Sequence, residues 1–508
     1  MSKKIVIIGA GPGGLATAIR LAGKGYEVEI FEACDPAGIR VAARVGGRMR
    51  GFEDGPYSFD TGPTILQLPR LYEELFADSG LQFSDYIRLK RLDPFMRARF
   101  WDGTHLDLTS DLTAFKAQLA TLRPDLPAAF DRWYLEHQRK NELGYGPYLG
   151  SPVRSILGYL RPDEILAALQ FRPWESLYQH FWNYFQDDRL VYALSYPSKY
   201  LGMHPTVSAS VFSLIPYLEF ADGVWHPEGG FRNLAKMMGK AAEDLGVRIH
   251  LNCPVRQAWI ENRQVRGVEL ASGERITADA VVVNADFGHA MQTLIPDSER
   301  GRYSDRKLER FQYSCSTFML YLGIDRRYEN LPHHQIYLSE NIRRRERPWM
   351  DDSALDEENP PFYVCNPTLI DTDNAPPGHS TLFVLVPIPN TAYGVDWSAK
   401  QKSYRDFILS RMPLLGYEDV ERHIVRETCY TANTWRDDYS VYRGAVFNLS
   451  HNWTQLGPFR PPIRSENTRG LYWIGGAVHP GSGLITILEA ARSATTFIDE
   501  DIGVAKVA

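Results

Sequence analysis

Cysteine is scarce in this chain of 508 residues: there are five, Cys34, Cys253, Cys315, Cys365 and Cys429. No two stand at metal-ligand or redox spacing, and an odd number excludes a fully paired disulfide framework. The reading is a protein of a reducing compartment, the cytoplasm, with no metal site. A basic surplus is also missing. The net charge is −6, which speaks against a nucleic-acid binder, whose phosphate contacts demand excess Lys and Arg. Long apolar runs are absent too. Two lysines followed by apolar residues mimic a secretory leader at the N-terminus, but five glycines and a proline break the run. No second apolar stretch reaches membrane length, so the expectation is a soluble or peripherally membrane-bound protein. What abounds is aromatic: 27 Tyr, 24 Phe and 11 Trp make up 12% of the chain. That share fits a large apolar cavity or interface, and equally an aromatic core.

Two glycine-rich turns stand at opposite ends of the sequence. The first is "KKIVIIGAGPGGLATAIRLAG", Lys3 to Gly23. Its short β-branched run suits a strand buried on both faces of a parallel sheet. Gly9, Gly11 and Gly14 complete G-x-G-x-x-G, with Pro12 and Gly13 inside it. The first glycine permits the tight turn, the second lets a pyrophosphate approach, and the third lets helix pack on strand. A second strand, "YEVEIFE", ends in Glu32, 18 positions after Gly14, where a carboxylate can hydrogen-bond an adenosine ribose. Strand, helix, strand and acid together point to an adenine dinucleotide. Further on, "VGGRMRGF" carries Gly46, Gly47 and Arg48, and "YSFDTGPTIL" carries Asp60, Gly62, Pro63 and Thr64. A glycine pair before an arginine lets backbone and guanidinium reach a phosphate. An ordinary turn with a solvated arginine is the plainer alternative.

With the first motif, these segments resemble the extended FAD signature of the amine-oxidase-like flavoproteins. The stretch "WHPEGGF…VVVNAD", Trp225 to Asp286, follows the same order. The resemblance implies that the backbone of Val255 holds the adenine and that the Asn284 segment leads out of the nucleotide unit. It also implies that the second terminal turn, "YWIGGAVHPGSGLITILEAARSA", returns to the flavin. Gly475, Gly476, Gly483, Leu484 and Ile485 would then lie along the pyrimidine side, at a helix N-terminus whose partial positive charge favours reduced flavin.

Two stretches do not read as nucleotide-binding. In the order "FWNYFQDDRLVYALSYPSKYLGMHPTVSASVFSLIPYLEFADGVWHPEGGF", "PHHQIYLSENIRRRERPW" and "GAVFNLSHNWTQLGPF…HPGSGL", they resemble the phytoene desaturase family, the carotenoid desaturases and their relatives. The implied fold is α/β: a Rossmann-type FAD-binding domain from 1–64, 225–289 and 466–508. An α+β substrate-binding, membrane-associating domain is inserted from 65–224 and 290–465. The implied activity is FAD-dependent desaturation of a long isoprenoid hydrocarbon taken from a membrane. Such a substrate has no polar handle. Binding then rests on apolar burial, worth roughly 25 cal/mol per Å², in a tunnel lined by residues such as those of "FWNYF" and "VFSLIPYLEF".

The resemblance names no catalytic side chain. Asp187, Asp188, Arg189 and Glu219 are the charged groups of the apolar insert, and surface pairing accounts for most of them. One dinucleotide fingerprint leaves quinone or oxygen, not a nicotinamide, as the electron acceptor. His333 and His334 are read as structural, because neighbours on a strand point to opposite faces. The arginines 343–347 fit a solvated surface or a contact with anionic lipid. Gly144–Trp174 fits a core helix pair or an interfacial element. Rival functions are an amine or protoporphyrinogen oxidase, a carotenoid isomerase or oxygenase, a retinoid saturase, and a flavin-free isoprenoid escort.

Overall fold

A computed structural model describes residues 2–33, 40–41, 44–144, 170–172, 174–340, 355 and 359–503. The arginine run 343–347 and most of Gly144–Trp174 lie outside the described residues.

Five parallel strands form one sheet, in the order Arg248–His250, Glu27–Phe31, Lys4–Ile8, Ala280–Val283, Leu471–Trp473. They come from the start, middle and end of the chain. The central strand, KIVII, is buried on both faces, and its side chains alternate between two cores. Ile5 and Ile7 pack with the helices Pro12–Gly23, Gly230–Asp244 and Leu484–Ile502. Val6 and Ile8 pack with the helix Phe287–Thr293 and a three-stranded meander, Val255–Glu261, Gln264–Leu270 and Arg275–Thr277.

The inserted stretches meet in a second sheet of seven strands. Its order is Ile424–Tyr430, Ser316–Ile324, Ser380–Ile388, Phe362–Cys365, His334–Leu338, Met96–Phe100, His105–Leu108. All neighbours are antiparallel except Met96–Phe100 with His334–Leu338, the pair that joins the two inserts. Period-two alternation again splits the strands. Phe318, Leu320 and Leu322 face the helix Trp397–Arg411. Met319, Tyr321, Tyr363 and Phe383 face inward and belong to the same core as Ile5 and Ile7. The two sheets therefore share one continuous interior.

Helices Leu112–Leu122, Leu126–Gly144, Leu177–Phe185 and Leu214–Ala221 gather much of the aromatic excess. Phe115, Phe130, Trp133, Phe181 and Phe185 are wholly buried there, with the rings of Phe181 and Phe185 tilted against Trp133 at 5.8 and 6.3 Å. The residues of "FWNYF" offered above as tunnel wall thus divide: the two phenylalanines at its ends serve packing. Among the described residues no helix is long and apolar enough to cross a membrane.

Ile7 has no exposed surface and sits at the centre of the parallel sheet. Ile7→Ala is expected to lower the unfolding free energy by about 2–5 kcal/mol, read as a lower guanidinium midpoint. The exposed Lys402→Ala is expected to stay within about 0.5 kcal/mol of the parent.

Candidate functional site

The N-terminal turn is built against one side chain. The Asn284 N–H donates to Ile8 O at 2.8 Å, and its Nδ2 donates to Gly9 O at 3.1 Å. Side chains at Gly9, Gly11, Gly13 or Gly14 would each strike Asn284: a Cβ would stand 2.5 Å from its carbonyl O, 2.9 Å from Nδ2, 2.7 Å from Oδ1 and 2.9 Å from Nδ2, respectively. Gly9 also has φ +95°, a conformation that favours glycine. Pro12 takes the first helical position, where its missing N–H costs nothing. Glu32 follows directly on the strand Glu27–Phe31, and its Oε2 accepts from Ala10 N at 2.7 Å. Cys253 N donates to Glu32 O at 3.0 Å, so the chain enters the strand that begins at Val255 beside this carboxylate.

The Gly46–Gly47 loop lies on the same turn. Gly46 N donates to Ala10 O at 2.7 Å, and a Cβ on Gly47 would stand 3.3 Å from Gly11 Cα. Arg48 turns inward and donates to Val446 O. The Asn448 amide, with its nitrogen donating to Asp286 Oδ2 at 2.6 Å, accepts from both Arg48 Nη atoms at 3.1 and 3.2 Å. Asp286 also accepts from the N–H groups of His289 and Tyr442 at 3.1 and 3.2 Å. Burial raises the Asp286 carboxyl above its ordinary range, with Arg48 opposing. Asp286 and Asn448 went unassigned in the sequence reading. Asp60 takes a structural part, accepting from Phe231 N (2.8 Å) and Arg232 N (3.0 Å) at the start of helix Gly230–Asp244. Gly62 packs against Arg48 O, Pro63 follows, and Thr64 Oγ1 meets Tyr363 OH at 2.7 Å.

The C-terminal turn is held from behind by Arg460, a fully buried guanidinium. It donates to the carbonyls of Leu449 (3.1 Å), Ser450 (3.3 Å), Gln455 (3.2 Å) and Gly476 (2.6 Å). Burial lowers its pKa to about 9, so it remains cationic at neutral pH. His451 Nε2 accepts from Ser482 N at 2.9 Å, which puts the ring proton on Nδ1. Burial, then the charge of Arg460, keeps this histidine neutral. A Cβ on Gly476 would stand 2.7 Å from the Asn448 amide, and Gly475 leads into the turn with φ +134°. Helix Leu484–Ile502 then starts from Gly483 with no side-chain cap, although an uncapped end leaves N–H groups seeking a partner.

A cofactor fits this arrangement. Gly9, Pro12, Glu32, Gly47, Arg48, Gly62–Thr64, Val255, Asn284, Gly475 and Gly483–Ile487 all keep part of their surface accessible. Among them, Leu484, Ile485 and Ile487 are apolar side chains left partly open, while Leu488 in the next turn is buried. An elongated ligand with a phosphate middle and a flat apolar end would cover these surfaces and accept from the uncapped helix. Across from it, Phe212 stands edge-on to His451 at 5.8 Å, and Ile65, Val211, Phe212 and Val446 are also partly open apolar groups of the shared core.

Of the four charged groups of the apolar insert, three pair near the surface. Asp187 caps its helix and meets Arg189 at 3.0 Å, Arg189 reaches Asp102 at 3.2 Å, and Asp188 accepts from Tyr178 at 3.0 Å. Glu219 differs. It is buried, accepts from Gln67 Nε2 at 2.8 Å, and is pushed up to about 8 by burial against the opposing hydrogen bonds of Gln67 and Tyr200. The histidine pair departs from the reading above as well. The strand begins at His334, so His333 lies in the preceding turn and the two rings stand 4.3 Å apart.

The chain is similar to known proteins along nearly its whole length. Residues 12–496 match the family model for flavin containing amine oxidoreductase. The chain is 46% identical to the all-trans-zeta-carotene desaturase of Myxococcus xanthus over 99% of this chain and 94% of the relative. It is 35% identical to a 4,4'-diapophytoene desaturase of Methylomonas over 98% and 96%. Among solved structures, a putrescine oxidase variant superposes with TM-score 0.63 at 14% identity, covering 99% of both chains.

Two outcomes follow from the site. In Gly11→Val the side chain meets the Asn284 amide and fills the turn. The variant is expected to purify with less than about a tenth of the parent's flavin absorbance per chain, and a full complement would refute this role for the turn. Glu219 binds its proton more tightly folded than unfolded. Its contribution is therefore complete at low pH, is lost from about the usual carboxylate range up to about 8, and is flat above. Wild type should thus lose melting temperature relative to Glu219→Gln across that window, by at most about 5 kcal/mol of stability.

Proposed function

The chain belongs to the family of flavin-containing amine oxidoreductases, and from that membership we propose that it is an FAD-dependent desaturase of a long isoprenoid hydrocarbon in carotenoid biosynthesis. The observation that carries this reading is the 46% identity to a carotene desaturase along 99% of the chain. The convergence of both terminal glycine turns on Asn284, Arg48 and Asp286 supports the cofactor. FAD, when bound, supplies the acceptor for a hydride taken from a saturated C–C bond next to alkenes.

The roles of the protein follow from its residues. The segments 1–64, 225–289 and 466–508 hold the dinucleotide. Gly9, Gly11, Pro12, Gly13 and Gly14 cradle its pyrophosphate, Glu32 takes the ribose, and the Val255 backbone takes the adenine. Gly47, Arg48, Gly62, Pro63 and Thr64 flank the flavin on one side, and Gly475, Gly476, Gly483, Leu484 and Ile485 on the other. The segments 65–224 and 290–465 hold the hydrocarbon, with Phe212, Val211, Ile65 and Ile485 as its walls. Apolar burial binds and orients it and keeps water from the developing cation. The proton left after hydride removal departs without an assigned base, because Glu219 is already protonated at neutral pH. Substrate and product are insoluble, so a peripheral membrane contact delivers them. One dinucleotide turn leaves quinone or oxygen as the final acceptor.

The first substrate to test is ζ-carotene, that of the relative named above. Purified protein should convert it, presented in liposomes, to products with longer conjugation, seen as red-shifted absorption and confirmed by chromatography. Anaerobically, quinone should sustain many turnovers and NAD or NADP none. Turnover on nicotinamide alone would overturn the acceptor assignment, and failure on ζ-carotene, phytoene and diapophytoene alike would overturn the activity.

A further inference from the structure

A buried polar cluster behind the Gly62–Thr64 loop is used by none of these roles. His333, His334 and Cys365 are 7%, 0% and 2% exposed. One nitrogen or sulfur atom from each lies within 4.8 Å of the others, and Cys365 Sγ is 3.4 Å from His333 Nε2. The grouping comes from strand pairing: His334 and Cys365 are register partners on adjacent antiparallel strands, and His333 closes over them from the turn. On a tetrahedral ion with bonds of about 2.0–2.3 Å, ligand atoms stand roughly 3.3–3.8 Å apart. The widest pair here needs to close by about 1.5 Å at most.

A second observation points to a ligand. His334 Nδ1 is fixed by Tyr363 OH at 2.7 Å, and its buried Nε2 has no hydrogen-bond partner. His333 Nδ1 has none either. His226 stands edge-on to His333 at 5.0 Å. Its Nε2 is held by Asp371 at 2.7 Å, and its Nδ1 is likewise without a partner. A buried polar atom left unpaired is costly, and three neighbouring imidazole rings each carry one such nitrogen.

We propose that His333, His334 and Cys365 bind one zinc ion, with the His226–Asp371 pair beside it. Two imidazoles and a thiolate form a borderline-soft set that suits Zn²⁺. On binding, the Cys365 S–H bond breaks, an S–Zn bond forms and the proton passes to solvent. The thiolate and the Asp371 carboxylate together balance the ion's charge. The site ties the His333 turn to the strands His334–Leu338 and Phe362–Cys365. Through Tyr363 OH it lies two hydrogen bonds from Thr64 Oγ1. Its part is a structural clip beneath the flavin loop.

The test uses full-length protein purified without a polyhistidine tag. After dialysis with zinc and then against weak chelator, metal analysis should find about one zinc per chain. Cys365→Ser should lose at least tenfold in affinity. Cobalt put in place of zinc should give tetrahedral bands in the red, beyond flavin absorption, and a thiolate charge-transfer band that Cys365→Ser lacks. The wild-type cobalt spectrum decides the matter even if the variant fails to fold. Zinc binding far below one per chain, or cobalt without a thiolate band, leaves only a thiol–imidazole hydrogen bond and trapped water, and overturns the proposal.

Discussion

Asn284 occupies the space around which the N-terminal turn bends. Its backbone N–H continues the parallel ladder from Ile8, and its side chain closes on Gly9 O. The four glycines nearby are therefore required first by the protein and only then by a phosphate. A reading from motif alone assigns them to ligand approach. Asn284 thus shapes the turn through contacts within the protein itself. Because Asn284 sits at the end of the strand Ala280–Val283, the dinucleotide turn depends on a segment some 270 residues downstream.

The same dependence recurs at the C-terminal end. Arg460 gathers four backbone carbonyls, and one of them, Gly476 O, belongs to the turn that precedes helix Leu484–Ile502. A guanidinium suits this task because its donors form a fixed planar fork. Hydrogen bonds to carbonyls, not a carboxylate partner, offset its desolvation here, which is why burial lowers its pKa so far. His451 completes the frame as a neutral acceptor for Ser482 N. The Arg48–Asn448–Asp286 chain joins the two turns across the interior. Both ends of the polypeptide are thus fixed by side chains from the middle and from the second insert.

How much of this was legible depended on how local the cause was. The strand–turn–helix at each end could be read because glycine spacing, β-branched runs and an acid at the second strand end act within about 30 residues. The meander after Val255 and the parallel sheet followed from the same logic. Asn448, Arg460 and His451 could not be read. Their partners are brought near only by folding, and a lone Arg or Asn in a loop carries no period or spacing. Asp286 stood in the quoted "VVVNAD", yet nothing local distinguished it from a helix cap, a part it also fills for His289. The histidine pair failed for a geometric reason: the opposite-face rule holds inside a strand, and His333 lies one residue before it begins. In "FWNYF" the helical spacing of Phe181 and Phe185 fixed a shared face, but not that Trp133 would cover it.

Charge divides the interior in a way that matches a hydrocarbon substrate. On the cofactor side, ionised groups are retained and satisfied: Arg48 by Asn448 and Val446, Arg460 by its carbonyls. On the side of the inserts, burial holds several titratable groups neutral. Glu219 is raised to about 8, Tyr196, Tyr200 and Tyr363 are raised far above their ordinary value, and His334 is lowered to about 3. An unpaired charge in that region would face a desolvation cost of several kcal/mol, and a hydrocarbon offers nothing to offset it. A neutral tyrosine, by contrast, can bury its ring among apolar groups while its hydroxyl stays hydrogen-bonded, as Tyr363 does with Thr64 and His334. The aromatic excess noted in the composition is thereby resolved into two uses. Phe115, Phe130, Phe181, Phe185 and Trp133 fill the helical core, and buried tyrosines such as Tyr363 join apolar rings to hydrogen-bonded hydroxyls in the shared interior.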